Sequence, residues 1–192
     1  MNSKKKVYVL LYDKFSDFEI VQTTLLLEKL DIIYVGFNTL MNRSITKLNV
    51  KADILVKDVD PTDVALFIIP GGEPKELIRN PKMGEKVNEF NILLQKLDKT
   101  KTKIAAICGG PTFLANSGIL NDKKCTGSIA EDENEYFKNT LFQKVDLIQD
   151  GNILTAQGHV FSIFAVEIAK WMGVITTEDV EISTLNWLRN VN

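Results

Sequence analysis

The chain of 192 residues has few of the side chains that most metal and acid–base sites use. It contains one histidine and two cysteines. A single histidine excludes multi-histidine metal centres and leaves little room for imidazole chemistry. Two cysteines are too few for a disulfide framework. Together with the lack of an export signal, they predict free thiols in a reducing cytoplasm.

Strongly one-sided charge and long hydrophobic runs are also missing. Lys and Arg number 23 and Asp and Glu number 25, so the chain lacks the basic field that attracts nucleic acids or anionic membranes. The longest uninterrupted apolar runs, 7–12 and 64–69, are far too short to span a bilayer. No small-residue cleavage site follows the first run. The sequence therefore predicts neither nucleic-acid nor membrane partners.

What is present is an alternation of short β-rich runs with helical patterns. We expect strands at 7–12, 31–37, 64–69 and 104–107, and helices at 17–30, 81–97, 111–117, 161–172 and 178–188. A hairpin with Asp150 and Gly151 at its turn is expected to join 145–149 to 152–156. The first helix should face inward through Val21, Leu25, Leu26 and Leu30. This order predicts one α/β domain over residues 1–192 with a mainly parallel sheet.

A cysteine stands between a buried strand and a helix in the segment Ala-Ala-Ile-Cys-Gly-Gly-Pro, residues 105–111. Gly109 and Gly110 remove side chains where the chain must reverse, and Pro111 suits the first turn of a helix. A residue at such a strand–turn–helix point is exposed above the sheet, as in a nucleophile elbow. Cys108 is accordingly the candidate nucleophile. The alternative is a small buried residue at a strand end.

Two further features should share the sheet edge of Cys108, because the carboxyl ends of parallel strands meet there. Pro70-Gly71-Gly72 follows the strand at 64–69, and the amides of Gly72 and Gly109 are candidates for an oxyanion hole. Glu19 begins the helix after the first strand. If its carboxyl is buried and protonated, it can donate a hydrogen bond to the sulfur and so stabilise a thiolate. The alternative is a surface glutamate that complements the helix dipole.

Glu19, the Pro-Gly-Gly turn and the cysteine elbow, in this order, resemble the ThiJ/PfpI superfamily. The resemblance covers nearly the whole chain, from Val7 to about Gly173. It implies a flavodoxin-like three-layer sandwich of the glutamine amidotransferase-like type. It also implies a homodimer with the cysteine near the subunit interface. No cofactor and no metal are implied.

One position departs from the pattern of this superfamily. Many members carry a histidine after the strand that follows the elbow helix, and Gly127 occupies that place here. The only imidazole is His159, which the resemblance brings near the cysteine pocket. It is either a general base or a residue at a helix start without a catalytic duty. Cys125 is expected to be packed in a strand. Asp17 is expected to cap the first helix or to assist Glu19, and the acidic run 131–135 to form a solvated helix start.

These residues support two hypotheses of different kinds. In the first, the Cys108 thiolate attacks a small carbonyl compound, as in a glyoxalase or deglycase, or an amide, as in a PfpI-type protease. Amide cleavage is less favoured because its leaving amine needs a strong proton donor. In the second, the protein is a redox sensor or stress chaperone in which Cys108 is oxidised. A third reading is a small-molecule binder that kept the fold.

Overall fold

The computed structural model describes residues 6–189, which contain eleven strands, six α-helices and five short 3₁₀ helices. The strands are β1 (Lys6–Leu11), β2 (Ile32–Gly36), β3 (Met41–Arg43), β4 (Asn49–Lys51), β5 (Ile54–Leu55), β6 (Val64–Ile69), β7 (Lys103–Ile107), β8 (Lys124–Cys125), β9 (Leu141–Phe142), β10 (Leu147–Asp150) and β11 (Ile153–Ala156). The helices are α1 (Phe18–Leu26), α2 (Pro74–Ile78), α3 (Gly84–Lys99), α4 (Pro111–Asn116), α5 (Phe161–Trp171) and α6 (Glu178–Arg189).

Seven of these strands form one sheet in the order β10-β11-β7-β6-β1-β2-β5. All neighbours in it are parallel except β10 and β11, which form an antiparallel hairpin. The carboxyl ends of β1, β6, β7 and β11 therefore meet at one edge. The pairs β3–β4 and β8–β9 form two small separate sheets. This is the predicted α/β architecture with a mainly parallel sheet.

The core of the protein lies on both faces of this sheet. β6 is a continuous apolar run with five of its six residues buried, as a strand covered on both faces requires. Helices α1, α5 and α6 pack together as one layer, and α2, α3 and α4 as the other. Phe37, Phe67, Phe90 and Phe113 are buried in mutual ring contact. The expected flavodoxin-like three-layer arrangement is confirmed.

The first helix differs from its expected length and inward face. α1 ends at Leu26, and its buried residues are Glu19, Ile20 and Thr23. The prediction that Val21 and Leu25 point inward is wrong, because they are 57% and 45% exposed. The buried face of α1 includes a glutamate and a threonine, and a search for apolar periodicity does not count polar residues as buried. An apolar stripe is left on the opposite side.

Smaller differences concern where other elements begin. The expected helix 81–97 starts as a 3₁₀ turn at Pro81–Met83, and regular α-helix begins at Gly84. In the hairpin, Asp150 pairs with Ile153, so the two loop residues are Gly151 and Asn152 and not Asp150 and Gly151. Gly151 has φ +59° there, a conformation that glycine adopts readily.

Two acidic residues are placed differently from the sequence prediction. The Asp17 side chain does not cap α1. It is buried and accepts a hydrogen bond from the Thr46 hydroxyl. Glu133 is not solvated, because it accepts bonds from the Thr112 hydroxyl at 3.0 Å and the Ala130 N–H at 2.8 Å. The Thr46 and Thr112 partners lie 29 and 21 residues away in the chain, beyond the reach of short-range capping rules, whereas the bond to Ala130 is local.

The extent of the domain and its relation to membranes complete the description. That residues 1–192 form one domain stays a prediction, and its ends, 1–5 and 190–192, lie outside the described residues. None of the helices within 6–189 is long and apolar enough to cross a membrane.

Candidate active site

Cys108 lies at the turn between β7 and α4, and its backbone is held on both sides. Its N–H donates to the Ala156 carbonyl at 2.9 Å, and its carbonyl accepts from the Ser128 N–H at 2.8 Å. The residue has φ +60°. This left-handed conformation costs a non-glycine residue roughly 1–2 kcal/mol. The elbow therefore fixes Cys108 at the rim of the sheet, where the residue is half-buried.

Glu19 faces this sulfur from the first turn of α1. Its side chain is 1% exposed, and Oε2 accepts a hydrogen bond from the Gly71 N–H at 2.7 Å. The carboxyl is also hydrogen-bonded to Cys108. The Gly71 carbonyl accepts bonds from the Tyr12 hydroxyl at 2.6 Å and the Ser16 N–H at 2.9 Å. The peptide that orients Glu19 is thus itself held in place.

The pKa values of Glu19 and Cys108 depend on each other. Burial raises the pKa of Glu19, while hydrogen bonds from Cys108 and the Gly71 N–H act against this rise. Burial and then the negative charge of Glu19 raise the pKa of the Cys108 thiol to about 12, against hydrogen bonds from Gly109 and Ser128. That a protonated Glu19 stabilises a Cys108 thiolate stays a prediction. Because the two groups titrate as a coupled pair, a Cys108 thiolate is favoured when a proton lies on Glu19.

Glycines surround the Cys108 side chain. A Cβ atom at Gly71 would lie 2.5 Å from Cys108 Cβ and 2.9 Å from Sγ. At Gly158 it would lie 2.9 Å from Sγ and 3.2 Å from Glu19 Oε1. Any larger residue at either position would displace the sulfur or the carboxyl. We call Gly71 and Gly158 the glycine cradle.

The sequence of this chain is similar to those of known proteins. A family model described as the DJ-1/PfpI family matches residues 5–170. The chain belongs to the DJ-1/PfpI family. It is 29% identical to the uncharacterized protease YoaZ of Bacillus subtilis, with 91% of this chain and 86% of that protein covered. It is 24% identical to the deglycase TK1284 of Thermococcus kodakarensis, with 79% and 89% covered.

Solved structures of the DJ-1 superfamily share the fold. The Agrobacterium tumefaciens protein Atu0886 superposes with a TM-score of 0.81 at 21% identity, covering 98% of this chain and all of that one. A ThiJ/PfpI protein from Bacillus anthracis gives a TM-score of 0.78 at 26% identity, with 95% and 89% covered. The superfamily resemblance seen in the sequence is confirmed.

The structure brings some of the predicted residues of this DJ-1/PfpI site together and leaves one apart. Glu19 and the Gly109 N–H are each hydrogen-bonded to Cys108. His159 adjoins the cradle residue Gly158, but its ring is 64% exposed and its Nε2 lies 3.2 Å from Asp146 Oδ1. Its role as a general base stays a prediction.

Gly72, the second predicted oxyanion donor, is shaped by its neighbours. It has φ +122°, and a Cβ there would lie 2.1 Å from the Lys14 carbonyl oxygen. Only glycine fits this close approach. Its contribution to an oxyanion hole stays a prediction.

Sequence reasoning missed three residues of the site. Tyr12 holds the Gly71 peptide, Gly158 forms half of the cradle, and Ser128 bonds the sulfur. Tyr12 ends the first apolar run and Gly158 follows a strand, so strand-end position was the available signal for both. Ser128 gave no signal because it follows a two-residue strand outside the main sheet. Within residues 6–189, no group of three or more His, Cys, Asp or Glu side chains is placed to hold a metal ion.

Proposed function

We propose that this DJ-1/PfpI protein is an enzyme that adds Cys108 to the carbonyl carbon of a small compound such as a 2-oxoaldehyde. One observation carries the proposal. The sulfur of the half-buried residue Cys108 is hydrogen-bonded to the buried carboxyl of Glu19. A nucleophile within reach of a group that takes its proton is the arrangement that covalent catalysis needs.

The addition step uses the shared proton of the pair. Glu19 takes the proton from the thiol, and Sγ forms a bond to the carbonyl carbon. The π electron pair of the carbonyl moves to its oxygen, which then receives the proton from Glu19. The product is a hemithioacetal on Cys108. The N–H groups of Gly72 and Gly109 are the proposed donors to the developing negative oxygen.

Access and geometry favour Cys108 over the other thiol. Cys125 is fully buried. Both cysteines are free, which fits the cytoplasmic location that we propose.

The test is consumption of methylglyoxal by the wild type, by Cys108→Ser and by Cys125→Ser as the matched control. We expect Cys108→Ser to lower kcat/KM by at least about 10²-fold and Cys125→Ser to change it less than about threefold. Equal activity of the wild type and Cys108→Ser would refute a cysteine-dependent enzyme.

A redox sensor is the second candidate, and the donors around the sulfur favour it. The Gly109 N–H, the Ser128 hydroxyl and Glu19 surround Sγ and can bond the oxygens of a sulfinate. In that reaction one peroxide converts the thiolate to a sulfenate and water, and a second converts the sulfenate to a sulfinate and water. A wild type that consumes no carbonyl compound, but gains two oxygens on Cys108 alone under peroxide, would support this candidate.

We also propose that the homodimer implied by the resemblance forms through α1. Phe18, Val21 and Leu25 form an exposed apolar stripe on this helix, 46%, 57% and 45% exposed. The stripe begins beside Glu19, which would place the cysteine site near the interface. Light scattering should show that Val21→Glu dissociates the dimer, whereas Val180→Glu on α6 leaves it intact. A wild type that is monomeric at high micromolar concentration would refute the dimer.

A further inference from the structure

Ser128 is held at the site by two main-chain hydrogen bonds. Its own N–H donates to the Cys108 carbonyl at 2.8 Å. Its Oγ accepts from the N–H of the cradle residue Gly158 at 2.9 Å. Both partners belong to the immediate surroundings of the sulfur, so backbone and hydroxyl are positioned relative to the elbow.

The hydroxyl of Ser128 is available as a donor toward the sulfur. The Gly158 N–H occupies Oγ as an acceptor, which leaves the hydroxyl proton free to be donated. Ser128 is hydrogen-bonded through this side chain to Cys108. Within residues 6–189, the side-chain hydrogen bonds of this sulfur come from Glu19 and Ser128.

The neighbouring position cannot supply a ring. A Cβ atom at Gly127 would lie 2.9 Å from the Cys108 carbonyl oxygen and 3.2 Å from Pro111 Cγ. A side chain there would require the elbow to shift. The imidazole of His159 is directed to Asp146. A serine hydroxyl therefore stands beside the sulfur where a titrating imidazole is absent.

We propose that Ser128 is a catalytic hydrogen-bond donor of this site, bonding the Cys108 sulfur before addition and the substrate oxygen after it. The inference rests on the proposed function. A thiolate is a strong acceptor, whereas the sulfur of the adduct is a weak one. As the carbon–sulfur bond forms, negative charge moves to the carbonyl oxygen, and the hydroxyl can follow it without losing its proton. Donors already in place for developing charge lower the barrier.

This role bears on the class of substrate. A neutral hydroxyl does not release a proton to a leaving amine as an imidazolium does. Addition to an aldehyde or ketone needs no such proton, because no group leaves. Ser128 therefore favours reactive carbonyl compounds over amides and peptides as substrates.

The test compares Ser128→Ala, Ser128→Thr and the control Ser183→Ala, whose hydroxyl bonds only its own helix at the Val180 carbonyl. Two quantities are measured: the rate of Cys108 alkylation by iodoacetamide against pH, and kcat and KM for methylglyoxal. We expect Ser128→Ala to move the alkylation profile to higher pH. It should also lower kcat by about 10- to 100-fold with KM nearly unchanged. Ser128→Thr should retain both properties, and Ser183→Ala should match the wild type.

The two readouts separate this inference from the proposed function. An alkylation profile that is unchanged in Ser128→Ala overturns the donor role, even if the wild type turns over carbonyl compounds. Equal defects in Ser128→Thr and Ser128→Ala also overturn it, since they indicate a structural effect. If the wild type consumes no carbonyl compound, the proposed function fails and the catalytic part of this inference fails with it. In that case, a shifted alkylation profile would still support the hydrogen bond from Ser128 to the Cys108 sulfur.

Discussion

The two cysteines of this protein share the direction of their pKa shifts but differ in their surroundings. Burial raises the pKa of both thiols. Cys125 is fully buried in β8, and its side-chain hydrogen bond is to Thr140. Cys108 is partly exposed, strained at φ +60° and bonded to the carboxyl of Glu19. A reactive sulfur therefore needs an approach path and a neighbour that can take its proton, because burial by itself suppresses ionisation.

The largest expected effect of this difference is in the rates at which the two cysteines are alkylated. We expect iodoacetamide to modify Cys108 of the native protein at least about 10²-fold faster than Cys125. In denaturant the two rates should become equal, because the packing that separates the residues is lost. Peptide mass spectrometry after timed quenching measures both sites in one sample. Comparable native rates would remove the basis of the comparison.

The second-largest effect is expected when a side chain is introduced into the glycine cradle. In Gly71→Ala the new Cβ would lie 2.5 Å from Cys108 Cβ and 2.7 Å from Glu19 Oε2. We expect a loss of kcat/KM of about 10²-fold, and a loss of roughly 1–3 kcal/mol in the free energy of unfolding. Gly84→Ala is the control, since nothing lies within 4 Å of its Cβ position. Turnover assays and urea denaturation that fail to distinguish the two variants would contradict a close-packed site.

Replacing Glu19 tests whether its carboxyl activates the sulfur by taking the proton of the thiol. In Glu19→Gln the amide keeps hydrogen-bond donors and an acceptor but cannot take a proton from Cys108. We expect alkylation of Cys108 near pH 7 to slow by about tenfold, while alkylation of Cys125 in denaturant is unchanged. Faster alkylation in the variant would mean that the carboxylate only repels the thiolate.

The same substitution has a smaller effect on stability, with a sign that depends on pH. Burial raises the pKa of Glu19 in the folded state, so the folded state binds this proton more tightly than the unfolded chain does. Stability contributed by the protonated group is therefore lost as pH rises through that range. We expect Glu19→Gln to raise the free energy of unfolding by about 1 kcal/mol at pH 7. This gain should vanish below about pH 4, where the carboxyl is protonated in both states.

The smallest effect is expected at the only imidazole. His159 is mostly exposed and lies 3.2 Å from Asp146, so neither thiol of the comparison is bonded to it. We expect His159→Gln to change kcat/KM for methylglyoxal less than about threefold. A loss of 10²-fold would instead establish the general-base role that the resemblance suggested.

How much the sequence foretold depends on whether the signal was local. The apolar run of β6, the hairpin of β10 and β11, and the elbow after β7 were all predicted, since each is written in adjacent residues. The inward face of α1 was not, because its inner positions include a glutamate and a threonine whose surroundings come from other elements.

The sequence by itself determined which strand each main site residue follows. A glutamate comes after β1, glycines come after β6 and a cysteine comes after β7. Parallel pairing then requires these three to meet at one edge of the sheet. Only the tertiary structure decided that Gly158 closes the cradle, that Ser128 bonds the sulfur, and that His159 turns to Asp146. These outcomes depend on side-chain directions and on differences of a few tenths of an ångström in the spacing of segments up to about 140 residues apart. No local pattern encodes them.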